Sequence, residues 1–191
     1  MKKRWYNLTQ IKDVSGIIMR LEKEFFNMPA YDVAPMLIGK LLCRRRGSEL
    51  LCARITETEC YYGFDDSASH AHKGMTERNS VMFGEGGKTY IYLCYGIHNL
   101  LNITTGNDGH PEAVLIRGVV GAQGPGRVTK YLDIGRDMNR ISVCEDDSAI
   151  WIEDDGYIPN VVRSKRVGID YAQEKDREIL WRFIDANKVK V

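Results

Sequence analysis

The 191-residue sequence lacks an apolar run that could cross a membrane, and it lacks an excess of charge of either sign. No stretch of about 18 apolar residues occurs, which excludes a transmembrane helix. The 27 basic and 26 acidic residues leave a net charge of +1, so the overall field gives no indication of a nucleic-acid partner. No repeat, heptad pattern or low-complexity block divides the chain.

Cysteine patterns that indicate disulfides or zinc are also missing. The five cysteines are odd in number and widely spaced, with no Cys-x-x-Cys pair. This argues against a disulfide framework or a structural zinc site and favours a reduced compartment. The basic residues Lys2, Lys3 and Arg4 precede no apolar segment of the kind a secretory signal requires. We therefore expect a cytoplasmic protein with a loose arm at residues 1–12.

The hydrophobic pattern predicts a single α+β domain over residues 13–191, built around a curved antiparallel sheet with flanking helices. The predicted helices cover residues 15–27, 32–37 and 128–134, with Ser15 and Asp32 as N-caps. The predicted strands cover residues 41–45, 49–59, 88–93, 98–104, 113–119, 150–153, 166–169 and 179–184. Residues 63–87 are polar and glycine-rich, and a loop of this length is typical of function.

Two carboxylates mark the end of one predicted strand. Glu57 and Glu59 run into Tyr61, and alternation places both on the face of Ala53 and Ile55. A buried carboxylate is costly unless it is paired or used. One of the two could be a general base whose pKa is tuned by burial, or both could be salt-bridge partners on a solvated face.

Half of the ten tyrosines lie within 35 residues of each other, and these five are Tyr61, Tyr62, Tyr90, Tyr92 and Tyr95. Such rings can pack a sheet face, or they can stack against a flat heteroaromatic ring. Tyr95 occupies a tight turn before Gly96, where its ring can project outward as a wedge or as a surface anchor.

Four polar residues of the long loop are candidate metal ligands. His70 and His72, with Asp65 and Asp66, match no metal-ligand spacing, and we expect no metal site.

Two polar residues interrupt apolar strands. Arg117 follows an apolar run and can either extend to solvent or face the carboxylates across the sheet. Asn102 is flanked by apolar residues and, if buried, needs a backbone or ligand partner.

Ten ordered motifs carry a family resemblance. They are Leu37-Ile38-Gly39-Lys40-Leu41-Leu42, Ile55-Thr56-Glu57-Thr58-Glu59-Cys60-Tyr61, Asp65-Asp66-Ser67-Ala68-Ser69-His70, Arg78-Asn79-Ser80-Val81-Met82-Phe83, Tyr90-Ile91-Tyr92-Leu93-Cys94-Tyr95-Gly96, Asn102-Ile103, Val114-Leu115-Ile116-Arg117, Gly124-Pro125-Gly126-Arg127, Arg166-Val167-Gly168-Ile169 and Trp181-Arg182-Phe183. From about residue 22 to the C-terminus the chain resembles the alkyladenine (3-methyladenine) DNA glycosylase family, which is distinct from the helix-hairpin-helix glycosylases.

The resemblance implies specific catalytic roles. Glu59 matches the general base that activates water for attack on the sugar C1′ of a damaged nucleotide. Arg117 and His70 match residues near that water and the deoxyribose-phosphate. Arg78 is expected to contact a phosphate, although Glu77 lies beside it.

The resemblance also implies a base-binding pocket. Tyr61, His70 and Tyr92 match the side chains that sandwich the flipped base, and Asn102 matches a residue that excludes guanine. Tyr95 matches the tyrosine that enters the duplex in place of the extruded nucleotide. His98 is a departure, because it stands where the family has an aromatic residue near the pocket rim.

The implied protein is a monofunctional DNA glycosylase that starts base excision repair. Its substrates would be alkylated purines in double-stranded DNA, such as 3-methyladenine and 7-methylguanine, with hypoxanthine and ethenoadenine as further candidates. No cofactor, metal or lyase activity is expected. The resemblance further implies a monomer, located at the nucleoid if bacterial, with a fold related to the C-terminal domain of formyltransferases.

Two other functions remain open from the residues. An O-glycoside hydrolase could use Glu57 and Glu59, whose Cα atoms would lie about 6.7 Å apart, although neighbours on one strand do not easily flank a sugar. A non-catalytic module could stack single-stranded nucleic acid on the tyrosines, which would leave Glu59 without a task.

Overall fold

The computed structural model describes residues 18–187, so the predicted arm at residues 1–12 and the predicted cap Ser15 lie outside the described residues. The strands are β1 Met19–Arg20, β2 Leu41–Arg46, β3 Glu49–Tyr62, β4 Thr89–Cys94, β5 His98–Thr105, β6 Glu112–Val119, β7 Ala122–Gln123, β8 Ile150–Asp154, β9 Val161–Ser164 and β10 Arg182–Asp185. The helices are α1 Lys23–Phe26, α2 Ala30–Met36, α3 Pro125–Tyr131 and α4 Glu174–Glu178, with 3₁₀ turns at Ser80–Phe83 and Arg136–Met138.

The strands form an open antiparallel sheet in the order β1-β8-β2-β3-β6-β5-β4. β3 is the longest strand, with 14 residues, and it connects the two parts of the sheet. Its first half pairs with β2, while its second half lies between β6 and β10. The prediction of a mixed, sheet-rich α+β fold is confirmed. Within residues 18–187, no helix is both long enough and apolar enough to cross a membrane.

The main core lies between one face of the sheet and helices α2 and α3. Val33 and Ala34 of α2 and Val128 of α3 pack there with residues from β3, β5 and β6. On the opposite face, two small apolar clusters pack beneath residues 63–87 and the segment that follows β9. The loop at residues 63–87 and the segment that follows β9, which we call the C-terminal segment, therefore cover the same side of the sheet.

A β-bulge in β3 inverts the side-chain alternation. The register against β6 shifts on both sides of Glu57. Before the bulge, Ile55 faces the main core; after it, Cys60 does, and the Thr58 hydroxyl donates to the Ala34 carbonyl at 2.8 Å. Simple alternation, which placed Glu57 and Glu59 on the face of Ile55, is wrong here because an extra residue in one strand moves its successors to the other face.

Several predicted elements differ from the structure. Of the predicted helix at residues 15–27, the described part contains only α1, because Met19 and Arg20 pair with β8. Asp32 lies in the first turn of α2 and does not cap it, since Pro29 occupies the N-cap. Residues 166–169 are not a strand, and the strand predicted at residues 179–184 is β10, which begins only at Arg182. Strand β9 and helix α4 were not predicted.

The expectation that the cysteines are reduced thiols does not hold for Cys43 and Cys52. Cys43 of β2 lies directly opposite Cys52 of β3, with Cα atoms 4.2 Å apart, and the two form a disulfide. The sequence spacing gave no signal for this pairing, because it depends on the register of the hairpin. Cys60, Cys94 and Cys144 are free thiols.

Candidate active site

Glu59 lies at the centre of the second half of β3, with no exposed surface. One carboxylate oxygen accepts from the Val167 backbone N–H at 2.8 Å, and the other accepts from the Tyr61 hydroxyl at 3.0 Å. The Arg117 Nε atom is 3.5 Å from the first oxygen. Burial raises the pKa of Glu59, although Arg117, Val167 and Tyr61 each oppose that rise. The result is a positioned carboxylate with a strengthened affinity for a proton.

Glu57 has a different environment one pleat away. Its carboxylate accepts from Arg117 Nε at 2.9 Å and from Arg182 Nε at 2.6 Å. Both contacts are charge-assisted hydrogen bonds, which fix the position of the Glu57 carboxylate. Because two guanidinium groups engage its carboxylate, Glu57 is poorly placed to act as the acid of an O-glycoside hydrolase. Its role in this geometry is to orient Arg117.

A small, partly open pocket lies beside this strand. It is lined by Tyr61, Ala68, His70, Met82, Tyr90, Tyr92, Asn102, Ala113 and Tyr171. Glu59 lies behind the pocket wall, in contact with the Tyr61 hydroxyl. The structure therefore brings four predicted residues, Tyr61, His70, Tyr92 and Asn102, to one pocket next to the predicted base.

The rings of this pocket are uncharged near neutral pH. Burial lowers the pKa of His70 to about 4, and the nearby Arg78 guanidinium acts in the same direction. Burial raises the pKa of Tyr90 to about 12 and raises the pKa of Tyr92 as well. The His70 Nδ1 atom lies 2.8 Å from the Tyr90 hydroxyl, and its ring meets Tyr92 edge-on at 4.6 Å. A neutral aromatic lining suits a flat ligand and attracts a cationic one.

Asn102 and Arg78 differ in their positions relative to the pocket. Asn102 is 4% exposed, and its side-chain nitrogen donates to the Tyr90 carbonyl at 3.0 Å. The residue also lines the pocket. Arg78 is exposed on the long loop, close enough to affect the pKa of both His70 and Tyr90.

Tyr95 lies outside the pocket, on the hairpin between β4 and β5. It is 89% exposed and has φ +50°, and Gly96 follows with φ +72°. Ile97, on the same turn, is 73% exposed. The hairpin thus projects apolar side chains into solvent. His98 begins β5 and packs over Gly126, where a Cβ atom would lie 3.0 Å from the His98 Cβ.

The metal candidates do not converge. Asp66 accepts from both terminal nitrogens of Arg166, and His72 Nδ1 lies 2.6 Å from the Phe64 carbonyl. In residues 18–187, no group of three or more His, Cys, Asp or Glu side chains is arranged to hold a metal ion.

Sequence reasoning missed the support supplied by Arg166. Its guanidinium is buried, pairs with Asp66 and lies 5.0 Å from the Tyr61 ring and 5.1 Å from the Trp181 ring. It also donates to the Cys60 carbonyl at 2.9 Å, so it links the two residues that follow Glu59 to the C-terminal segment. The Arg-Val-Gly motif was visible in the sequence, but its apolar composition indicated a strand.

Comparisons with known proteins identify the family of this chain. A family model described as methylpurine-DNA glycosylase matches residues 24–122 and 120–189. A Methanocella arvoryzae protein, provisionally named a 3-methyladenine DNA glycosylase, is 40% identical over 187 residues, covering 87% of this chain and 92% of the relative. Provisionally named 3-methyladenine DNA glycosylases from Borreliella afzelii and Ehrlichia ruminantium are 38% and 36% identical, covering 88% and 86% of this chain and 97% and 88% of their own.

A buried carboxylate beside a neutral aromatic pocket, together with these matches, defines a DNA glycosylase, which is an N-glycoside hydrolase of DNA repair. Within that class, the chain belongs to the methylpurine-DNA glycosylase family.

Proposed function

We propose that this enzyme flips and excises alkylated purines from double-stranded DNA as a monofunctional glycosylase, and so starts base excision repair. The observation that carries the proposal is Glu59, a fully buried carboxylate with a raised pKa beside an uncharged aromatic pocket. The substrates are 3-methyladenine and 7-methylguanine, with hypoxanthine and ethenoadenine as further candidates.

The reaction begins when the damaged nucleotide leaves the stack, because the glycosidic bond is inaccessible within a duplex. The base stacks among Tyr61, His70 and Tyr92. Alkylation at N3 or N7 gives the purine a positive charge, which weakens its bond to the sugar and attracts it to aromatic faces. Because His70 has a pKa of about 4, it is neutral and does not repel this cation.

Glu59 then acts on water. The water oxygen bonds to C1′, its proton passes to the Glu59 carboxylate, and the glycosidic electron pair leaves with the purine. The products are a free base and an abasic site. A raised pKa makes Glu59 a better proton acceptor than an exposed glutamate. Its negative charge also stabilises positive charge that develops on the sugar.

Arg117 fixes the position of Glu59 and provides a positive charge near the sugar-phosphate. It is held from behind by Glu57, which is also held by Arg182. His70 assists at the deoxyribose-phosphate side, and Arg78 makes a peripheral phosphate contact.

Selectivity and extrusion depend on two other residues. Asn102 at the pocket wall opposes the exocyclic amino group of normal guanine, which gives discrimination by exclusion. Tyr95 fills the gap left by the extruded nucleotide, and its projecting position on the β4–β5 hairpin supports this role.

Three further properties follow from the resemblance as proposals. The enzyme works as a monomer, without metal or other cofactor, and its sheet shares the fold of the formyltransferase C-terminal domain. Light scattering of the purified protein, activity in the presence of EDTA and superposition on such a domain test these statements.

The decisive experiment is a panel of duplexes, each with one lesion, scored for release of the free base. Wild-type protein should release 3-methyladenine and 7-methylguanine, whereas Glu59→Gln should lose at least about a hundredfold in single-turnover rate. Glu49→Gln is the matched control, because Glu49 lies on the same strand but is exposed and ion-paired with Arg46.

Two results would contradict the proposal. If folded Glu59→Gln released base at the wild-type rate, Glu59 would not be the base. If wild-type protein bound lesion duplexes without releasing any base, a non-catalytic binding module would be the better description.

A further inference from the structure

Tyr171 forms part of the pocket wall and lies on the segment between β9 and α4. It is 69% exposed, whereas its neighbours Ile169 and Ala172 are 4% and 7% exposed. Those two side chains pack against Ala68 of the long loop. The segment is therefore anchored by buried residues on both sides of an exposed ring.

Hydrogen bonds hold the ring in place. The Tyr171 hydroxyl donates to the Ala68 carbonyl at 2.9 Å. The Ala172 N–H donates to the Ile169 carbonyl at 2.9 Å, which closes the turn that carries the ring. The Gln173 N–H donates to the Ser67 hydroxyl at 2.8 Å, which ties the segment to the loop again. An exposed tyrosine with this many constraints has lost much of the freedom of a surface side chain.

The position of Tyr171 differs from that of a ring that only covers a core. A covering ring buries its faces, whereas this ring leaves most of its surface accessible while its hydroxyl is engaged. It lines the same pocket as Tyr92 and Tyr61, and the Tyr61 hydroxyl contacts Glu59. The accessible face therefore lies on the same side of the sheet as the stacking residues and the carboxylate.

We propose that Tyr171 is a further base-contact residue, which closes the mouth of the pocket over the extruded purine. This inference rests on the proposed glycosylase function. The ring supplies an additional stacking surface to those of Tyr61, His70 and Tyr92, and it shields the base from solvent. Its contribution is larger for cationic purines than for neutral ones, because a cation is attracted to the π face.

Three substitutions distinguish the contributions of the aromatic ring, the side-chain volume and the hydroxyl of Tyr171. Tyr171→Phe keeps the ring and loses the bond to Ala68, so its single-turnover efficiency should fall only a fewfold. Tyr171→Ala should lose roughly ten- to a hundredfold, the effect of removing one base-stacking ring. Tyr171→Leu keeps bulk without a π face and should resemble the alanine variant on 7-methylguanine. Tyr31→Ala is the control, because Tyr31 is a half-exposed tyrosine on α2, at the opposite face of the sheet.

The lesion comparison tests the cation effect. The loss in Tyr171→Ala should be several times greater for 7-methylguanine than for hypoxanthine. Equal losses for both bases would overturn the larger contribution expected for cationic purines. Wild-type rates in Tyr171→Ala would overturn the inference entirely.

A binding measurement keeps this test independent of catalysis. In a Glu59→Gln background, ethenoadenine in a duplex reports stacking through its fluorescence. Adding Tyr171→Ala should make the bound ethenoadenine brighter and bind it at least about tenfold more weakly. If wild-type protein released no base but this change appeared, the glycosylase proposal would fail while the Tyr171 contact stood. If wild-type protein released base normally but Tyr171→Ala left fluorescence and affinity unchanged, the Tyr171 contact would be overturned while the glycosylase proposal stood.

Discussion

Glu59 combines full burial with hydrogen bonds to both of its carboxylate oxygens. It is fully buried, which favours the protonated form, and it accepts from donors on both oxygens, which favours the anion. The balance leaves its pKa raised. A base in this state accepts a proton readily yet keeps a fixed orientation toward the site.

This balance predicts a pH profile. In the proposed mechanism the carboxylate form of Glu59 accepts the proton from water, so the single-turnover rate should fall as the pH drops through the raised pKa of Glu59. Tyr61→Phe removes a donor that stabilises the anion. The acid limb of the variant should therefore lie at higher pH than that of wild type.

The measurement is the rate of base release between about pH 4.5 and 8, with Tyr31→Phe as the control. His70 does not obscure the limb, because its pKa of about 4 lies below this range. An acid limb at the same pH in Tyr61→Phe and wild type would show that the hydroxyl does not tune Glu59.

At the scale of single residues, the sequence predicted the residues that line the pocket but not the distant residues that hold Glu57 and Glu59 in place. Glu59, Tyr61 and His70 stand in recognisable motifs, so their grouping could be expected. Val167 and Arg182 contact the glutamates from sequence separations of 108 and 125 residues. Such partners depend on how distant segments pack, and local patterning carries no information about that.

At the scale of elements, the bulge in β3 decides which residues face the pocket. It redirects Glu57, Glu59 and Tyr61 away from the main core. Alternation could not reveal it, because a bulge adds one residue without changing the apolar or polar character of the segment. The strand itself was predicted from the same residues, and only the face of the sheet assigned to Glu57 and Glu59 was wrong.

Gly118 of β6 makes this bulge possible. A Cβ atom there would lie 3.0 Å from the Glu57 Cβ and 3.0 Å from the Thr56 hydroxyl oxygen. Gly118→Ala should push Glu57 away from Arg117, lower stability by about 1–3 kcal/mol as overpacking does, and reduce the rate of base release.

Thermal denaturation and single-turnover assays check this expectation. Gly84→Ala is the matched control, because Gly84 has φ −95° and a Cβ atom there would approach nothing closer than 3.9 Å. A Gly118→Ala protein with unchanged melting temperature and rate would mean that the bulge tolerates a side chain.

The secondary-structure predictions failed where tertiary contacts overrode composition. Residues 166–169 are apolar enough for a strand, but Arg166 is buried in an ion pair and Val167 donates to a carboxylate. Met19 and Arg20 have a helical sequence context, yet they pair with β8. In both cases a partner far along the chain determines the backbone.

At the scale of the whole molecule, charge is nearly balanced, and eight basic side chains are engaged in ion pairs. Within residues 18–187, these are Lys23, Lys40, Arg46, Arg54, Arg117, Lys165, Arg166 and Arg182. Engaged cations contribute little to the release of counterions from DNA. Contacts with undamaged duplex should therefore be few.

This predicts a shallow salt dependence. Between 50 and 200 mM salt, affinity for undamaged duplex should fall by less than about a thousandfold, the loss expected for six or more phosphate contacts. Fluorescence anisotropy titrations at four salt concentrations give the slope. A steeper fall would reveal a basic surface that the ion pairs conceal.

The Val167 contact has a consequence for the order in which the enzyme becomes active during synthesis. Glu59 leaves the ribosome early, but the N–H that holds it belongs to a residue 108 positions later. Its neighbouring strand β10 follows later still. A nascent chain can thus form most of its sheet while the proposed catalytic carboxylate still lacks these contacts, and competence to release a base arrives only once Val167 and β10 have been translated.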